Sequence, residues 1–355
     1  MWHKTPVTQL LNIRYPIFQG PFGGGYSTPA LTAAVSNEGG LGGYGAYTQT
    51  PEEIAAACDE IKTLTGQPFA LNLWVNDVDD ARYSNGEFKA LATIYKPYFD
   101  ELGIPLPEPP APVTSQFERQ VEMVLRIKPA VFSFVFGIPG QGILKECKKQ
   151  GIKTVGGATT LDEALALEEA GVDMIIATGF EAGGHRPSFL RKAASSLTGT
   201  FALIPQVADG VSVPVIAAGG IADGRGIVAA LTLGASAVQL GTAFLACEES
   251  GAPAVHKAAL FSQQARYTTL TEVATGRLGR GLNSRLAEEM TAHAPFPLHG
   301  RFLSSLRTAA LAQGKHDLVT FWSGQAAPLI KHRQADELFR NLVAQTEDIL
   351  EKRGA

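Results

Sequence analysis

The chain has 355 residues, 45% hydrophobic and 18% charged, with a formal net charge of −4. That balance supports a large buried core and excludes intrinsic disorder, and it offers no basic footprint for nucleic acid or an anionic membrane surface. Glycine is high at 38 residues, without a collagen period or a Gly/Ser linker, so the excess is expected in turns and in loops that approach a ligand closely.

In chain order, residues 16–19 read as a first short buried strand. Ser27-Thr28-Pro29 starts a helix, with a capping hydroxyl and a proline at the first helical position, and Gly39-Gly40 ends it. Residues 40–46, 69–75, 131–136 and 153–157 are further apolar strands. Thr160-Leu-Asp-Glu163 has the form of a capping box, opening an amphipathic helix that runs to Gly171. Strands at 174–177, 215–218 and 237–240 follow, with a helix over 225–233 between the last two and a closing helix over 335–351. Eight such strands alternating with helices predict an α/β fold, a TIM (β/α)8 barrel; an open doubly wound sheet is the other arrangement compatible with the pattern.

Uneven spacing locates the insertions. Strand starts at 131, 153 and 174, and at 215 and 237, mark compact strand–helix units, whereas a long stretch separates 75 from 131. Pro105, Pro107, Pro109, Pro110 and Pro112 predict a stiff, irregular arm there. The expectation is a barrel from 1–75, 113–245 and 321–355, with 76–112 and 246–320 forming a smaller domain over its mouth.

Cys58, Cys147 and Cys247 are dispersed, with no C-x-x-C and no Cys/His cluster, which argues against disulfides and against a metal site. The start, Met-Trp-His-Lys-Thr-Pro, has no basic segment followed by an apolar run, and no 18-residue apolar stretch occurs. A cytoplasmic protein without membrane or nucleic-acid partners is expected.

In a barrel, active sites surround the C-terminal strand ends, and phosphates commonly sit on the loops after the seventh and eighth strands. Here those loops are Ala217-Ala-Gly-Gly-Ile-Ala-Asp-Gly224 and Gln239-Leu-Gly-Thr242. Gly219 and Gly220 in one, and Gly241 and Thr242 in the other, would bring backbone N–H groups to a single phosphate. One phosphate suits FMN better than a dinucleotide, and Gly23-Gly-Gly25 lacks the G-x-G-x-x-G spacing.

After the sixth strand stands Ala177-Thr-Gly-Phe-Glu-Ala-Gly-Gly-His185. His185, in a glycine-rich loop at a strand's C-terminal end, is the candidate proton acceptor, since an imidazole of ordinary pKa near ~6.5 is largely neutral at pH 7. Glu181 is expected to orient or brace rather than act as a second base. No comparable setting surrounds His3, His256, His293, His299, His316 or His332. Gln19-Gly-Pro-Phe22 closes the first strand, where Phe22 would lie against a flavin ring. Asn72 would either bond the flavin edge or satisfy local backbone.

Taken together, Gln19-Gly-Pro-Phe22, Gly179-Phe-Glu-Ala-Gly-Gly-His185, Ala217-Ala-Gly-Gly-Ile-Ala-Asp-Gly-Arg225 and Gln239-Leu-Gly-Thr242 resemble the class I nitronate monooxygenases, formerly called 2-nitropropane dioxygenases. The likeness extends through 244–250, 275–283 and Trp322-Ser-Gly-Gln325. It implies a TIM barrel with FMN that oxidises alkyl nitronates, with nitroalkanes as further candidates, by O2 to carbonyl compounds and nitrite. It also implies that His185 is the catalytic base or orients substrate. Gly20, Pro21, Phe22, Asn72, Gly179, Gly184, Gly219, Gly220, Gln239, Gly241 and Thr242 fall on FMN-contacting positions. Three residues depart from the family pattern: Phe22 for methionine, Thr178 for glutamine and Pro187 for glycine.

A nitronate is already a carbanion equivalent, so it needs an electron sink more than a strong base. His185 would therefore either deprotonate a neutral nitroalkane or, protonated, hold the nitro group. Two rivals share these residues: an FMN-dependent enoyl-acyl-carrier-protein reductase using NAD(P)H, and a flavin-binding module without turnover.

Overall fold

Apolar runs without polar alternation make strands buried on both faces, and those need helices on their outer side. The computed structural model, which describes residues 1–79, 83–109, 111 and 113–354, is built this way. Its strands are β1 (Ile17–Gln19), β2 (Gly42–Gly45), β3 (Phe69–Trp74), β4 (Val131–Val135), β5 (Lys153–Ala158), β6 (Met174–Thr178), β7 (Gly184–His185), β8 (Val215–Ala218), β9 (Ala237–Leu240), β10 (Thr268–Thr271) and β11 (Gly279–Leu282). Eight of them pair in parallel in the order β1-β9-β8-β6-β5-β4-β3-β2, and these are the eight read from the sequence. The ends meet at a parallel bridge between Phe18 and Leu41, where Leu41 N–H donates to Ile17 (3.0 Å) and Gln19 N–H to Leu41 (2.9 Å). This is a (β/α)8 barrel.

Inside the barrel Phe18, Ala70, Val155, Ile176 and Ala218 are buried in one cluster with Val7 and Leu11 of the helix Pro6–Leu11. That cluster reaches Val131 and Met174 at the strand starts, so the first helix stoppers the N-terminal end and leaves the other end open.

Local signals set the helices. Thr28 caps Pro29–Asn37 by accepting the Leu31 N–H, and Asp223 caps Gly224–Thr232 through the Arg225 and Gly226 N–H groups. Thr160 caps Leu161–Ala170 through the Glu163 N–H, but Glu163 does not reach back as a capping box would. Its fully buried carboxylate instead accepts from Thr159 N–H (2.7 Å), Thr159 Oγ1 (2.6 Å), Phe189 N–H (2.6 Å) and Leu190 N–H (3.2 Å). The closing helix, Ala335–Lys352, lies against Gly224–Thr232 and Pro29–Asn37.

The insertions hold more regular structure than the proline spacing suggests. Ser84 and Glu87 form a reciprocal capping box that opens a helix over Asn85–Glu101, with Pro97 inside it. Its Phe88, Tyr95 and Phe99 meet Phe302 at centroid distances of 5.8, 5.3 and 5.7 Å. Tyr98 donates to Glu289 (2.7 Å), and Arg285 links Glu101 to Asp317. The two insertions thus pack on one another. The proline stretch after this helix is irregular where described; Pro110 and Pro112 lie outside the described residues. A second, antiparallel sheet, β10-β11-β7, joins the later insertion to the loop after β6. No helix among the described residues is long and apolar enough to cross a membrane.

Candidate active site

At the C-terminal strand ends opens a cavity of about 520 Å³, within the size range of small-molecule sites. Gly20, Pro21, Phe22, Asn72, Gly184, His185, Gly219, Gly220, Gln239, Gly241 and Thr242 line it. Gly179 does not: a Cβ there would meet Thr200 Oγ1 at 1.9 Å and Glu181 Oε2 at 2.5 Å, so this glycine lets the loop close onto Thr200 behind the wall.

The turn after β8 places Gly219 and Gly220 at φ +101° and +71°. Consecutive residues in that region aim successive N–H groups to one side, making a concavity suited to an anion. Among the described residues the Gly220, Gly241 and Thr242 N–H groups find no protein acceptor. Thr242 Oγ1 accepts the Gly324 N–H (2.9 Å), which ties this turn to the Trp322–Gln325 segment. Glu181 accepts from Thr200 N–H (2.9 and 3.0 Å), and the single proton of Thr200 Oγ1 is shared between Glu181 (2.9 Å) and the Gly219 carbonyl (3.0 Å). Glu181 therefore braces the loop and makes no bond to His185.

The loop that carries His185 is pinned from two sides. Arg186, 4% exposed, donates to the carbonyls of Ser196 (2.6 and 3.1 Å), Thr159 (3.2 Å) and Thr178. Its guanidinium turns away from the cavity, and burial lowers its pKa to about 10. From the second sheet, Arg280 donates to the Phe180 carbonyl (2.9 Å). Gly184, at φ +78°, then turns the chain so that His185 pairs with Gly279 of β11.

This seating surrounds the imidazole with aromatic rings. Trp322 lies 4.9 Å away, Trp74 5.0 Å, Phe296 6.1 Å and Phe136 6.4 Å, centroid to centroid. Tyr47 stacks on Trp74 at 3.7 Å with planes 6° apart, extending the wall. Nε2 of His185 is 2.7 Å from Thr275 Oγ1. Arg277, clamped by Asp79 (2.6 Å), lies over Phe136 (4.5 Å) and Phe296 (4.3 Å). Burial, with the Arg277 charge second, pushes the His185 pKa down to about 3. The imidazole is neutral at pH 7.

Asn72 donates to Ser133 Oγ (3.0 Å) while lining the cavity. Phe22, Thr178 and Pro187 line it as well. Thr275, Arg277, Tyr47 and Trp74 were not singled out as site residues from the sequence, and neither was Arg307, whose helix Ser304–Ala312 reaches the cavity rim. Of these, only the step of 90 residues from His185 to Thr275 is bridged by a visible device, the β7–β11 pairing.

Fold and cavity together define a (β/α)8-barrel enzyme that works at the C-terminal strand ends. The family model for nitronate monooxygenase matches residues 4–345. A probable nitronate monooxygenase of Staphylococcus aureus (strain MRSA252) is 38% identical over 358 residues, 99% of each chain. Nitroalkane oxidase from Streptomyces ansochromogenes superposes with a TM-score of 0.89 at 34% identity, covering 98% of this chain and 99% of that one. FabK from Thermotoga maritima does so with a TM-score of 0.75 at 28% identity, covering 99% of each. The chain belongs to the nitronate monooxygenase family and is an oxidoreductase acting on nitro compounds.

Proposed function

We propose that the cavity binds FMN and that the enzyme oxidises alkyl nitronates with O2 to carbonyl compounds and nitrite. The observation that carries this reading is the pair of anion-ready turns at adjacent strand ends, Gly219-Gly220 after β8 and Gly241-Thr242 after β9. Their unpaired N–H groups fit one phosphate held by backbone, with the Gly220 turn supplying the concavity. Gly20, Pro21 and Phe22 would lie along the ring system, and Asn72 and Gln239 would reach its polar edge. When bound, the flavin supplies the electron acceptor that no amino-acid side chain can.

The chain's own work is binding, orientation and exclusion of water. The Tyr47, Trp74, Phe136 and Phe296 rings make an apolar wall in which His185 is the polar group that faces substrate. Phe22, Thr178 and Pro187 line the same space, so these departures from the family pattern would tune substrate range more than FMN binding. Residues 76–112 and 246–320 would serve as the covering region, a role supported for the second stretch by Thr275, Arg307 and Leu311 at the cavity.

The experiment is identification of what the purified protein releases on heating, alongside Gly220→Asp. Free FMN is expected from wild type and little from the variant, because a carboxylate would occupy the phosphate's place and a side chain is strained at φ +71°. FAD in the supernatant, or full FMN occupancy in Gly220→Asp, would contradict the placement.

A further inference from the structure

The two ring nitrogens of His185 stand in different settings. Nε2 lies 2.7 Å from Thr275 Oγ1. Nδ1 has no protein partner among the described residues and is not sequestered from the cavity that the residue lines. In a neutral imidazole one nitrogen donates and the other accepts, so the tautomer decides what the ring offers a substrate.

Thr275 is placed to set the tautomer. Its hydroxyl has one proton, and its oxygen already accepts the Arg277 backbone N–H, at a long 3.4 Å. Among the described residues the only acceptor within reach of that proton is His185 Nε2.

We infer that Thr275 is a positioning residue: by donating to Nε2 it holds His185 as the Nδ1–H tautomer, which presents a neutral N–H donor to the anionic nitro group of a nitronate. His185 then has neither to take up a proton nor to carry a charge. A neutral nitroalkane meets no free imidazole lone pair, so the arrangement selects the ionised form of the substrate. The inference rests on the cavity being the nitronate site, and adds to it the residue and the nitrogen that make the contact.

The test is nitrogen-15 NMR of the holoenzyme labelled at histidine, with His185 identified by the signals lost in His185→Asn. A protonated Nδ1 and an unprotonated Nε2 are expected in the resting enzyme. Thr275→Val should populate the Nε2–H tautomer and lower kcat/KM for ethyl nitronate about ten- to a hundredfold, the effect of one hydrogen bond at a reacting group. Thr275→Ser should restore both. An Nε2–H ring in wild type, or unchanged ring nitrogens in Thr275→Val, overturns the assignment. Should Thr275→Val fail to fold, the wild-type and Thr275→Ser spectra still decide. Because the tautomer is read without turnover, a protein that oxidises no nitronate would contradict the functional reading and leave Thr275 to be judged by its spectrum.

Discussion

His185 shows how a residue's neighbours in sequence and in space can differ. Arg186 follows it directly, yet points into a nest of carbonyls; the cation that acts on the ring is Arg277. Among the described residues, the groups facing the imidazole are Thr275, Trp74, Phe136, Phe296 and Trp322, all uncharged, with the Arg277 charge acting on it. With the pKa near 3, the ring gains its proton only in strong acid. The kcat/KM of wild type for ethyl nitronate should therefore show no inflection from His185 across the neutral range. A rise in activity as pH falls through ~6.5, the ordinary histidine value, would show an imidazolium at work instead. Arg186 offers a second check at this scale. Arg186→Gln leaves buried carbonyls unpaired and should cost about 3 kcal/mol or more in urea unfolding, with a weaker enzyme besides; a variant as stable as wild type would refute the pinning role. How much of the site was legible follows from the same contrast. The glycine turns and His185 are local patterns, readable because short motifs sit next to recognisable strands. Thr275 and Arg277 come from a distant insertion, and nothing in their own neighbourhood signals a partner.

Among the elements, the eight barrel strands were legible because each is a short apolar run closed by a turn. The second sheet was not. β7 is two residues long, and β11 is Gly-Arg-Gly-Leu, with neither the alternation nor the branched residues that mark a strand. Its pairing is a product of tertiary packing, yet it seats His185. The helix Asn85–Glu101 is hidden differently: Asn85-Gly86 reads as a turn and Pro97 as a break, which mask the Ser84/Glu87 capping box that starts it. At the buried end of the β6 loop, Glu163 holds two segments by four acceptances. Glu163→Ala should loosen residues 186–198 before the barrel, which hydrogen exchange would report as lost protection there alone. Uniform loss across the barrel strands would mean that Glu163 serves the fold as a whole.

Over the whole molecule, buried neutral histidines couple stability to acid. Burial holds His256 and His299 to about 4, besides His185 at about 3. Lowered values mean that the unfolded chain takes up these protons at a higher pH than the folded protein. Stability is then lost as pH falls from ~6.5 toward ~4, by up to about 1.4 kcal/mol per pH unit for each ring. Tm should decline over that window, and the slope should flatten in His256→Asn and His299→Asn; an unchanged slope would assign the acid limb to carboxylates. In the function proposed for it, this barrel, with a cavity between two glycine turns and a neutral histidine, passes electrons from a nitronate to flavin and on to O2. Nitrite released from ethyl nitronate by the purified protein in air, measured with O2 uptake and without pyridine nucleotide, tests it most directly. Nitrite formed together with O2 consumption is the expected result. No nitrite, together with rapid bleaching of the flavin by NADPH under anaerobic conditions, would contradict it and point to the reductase.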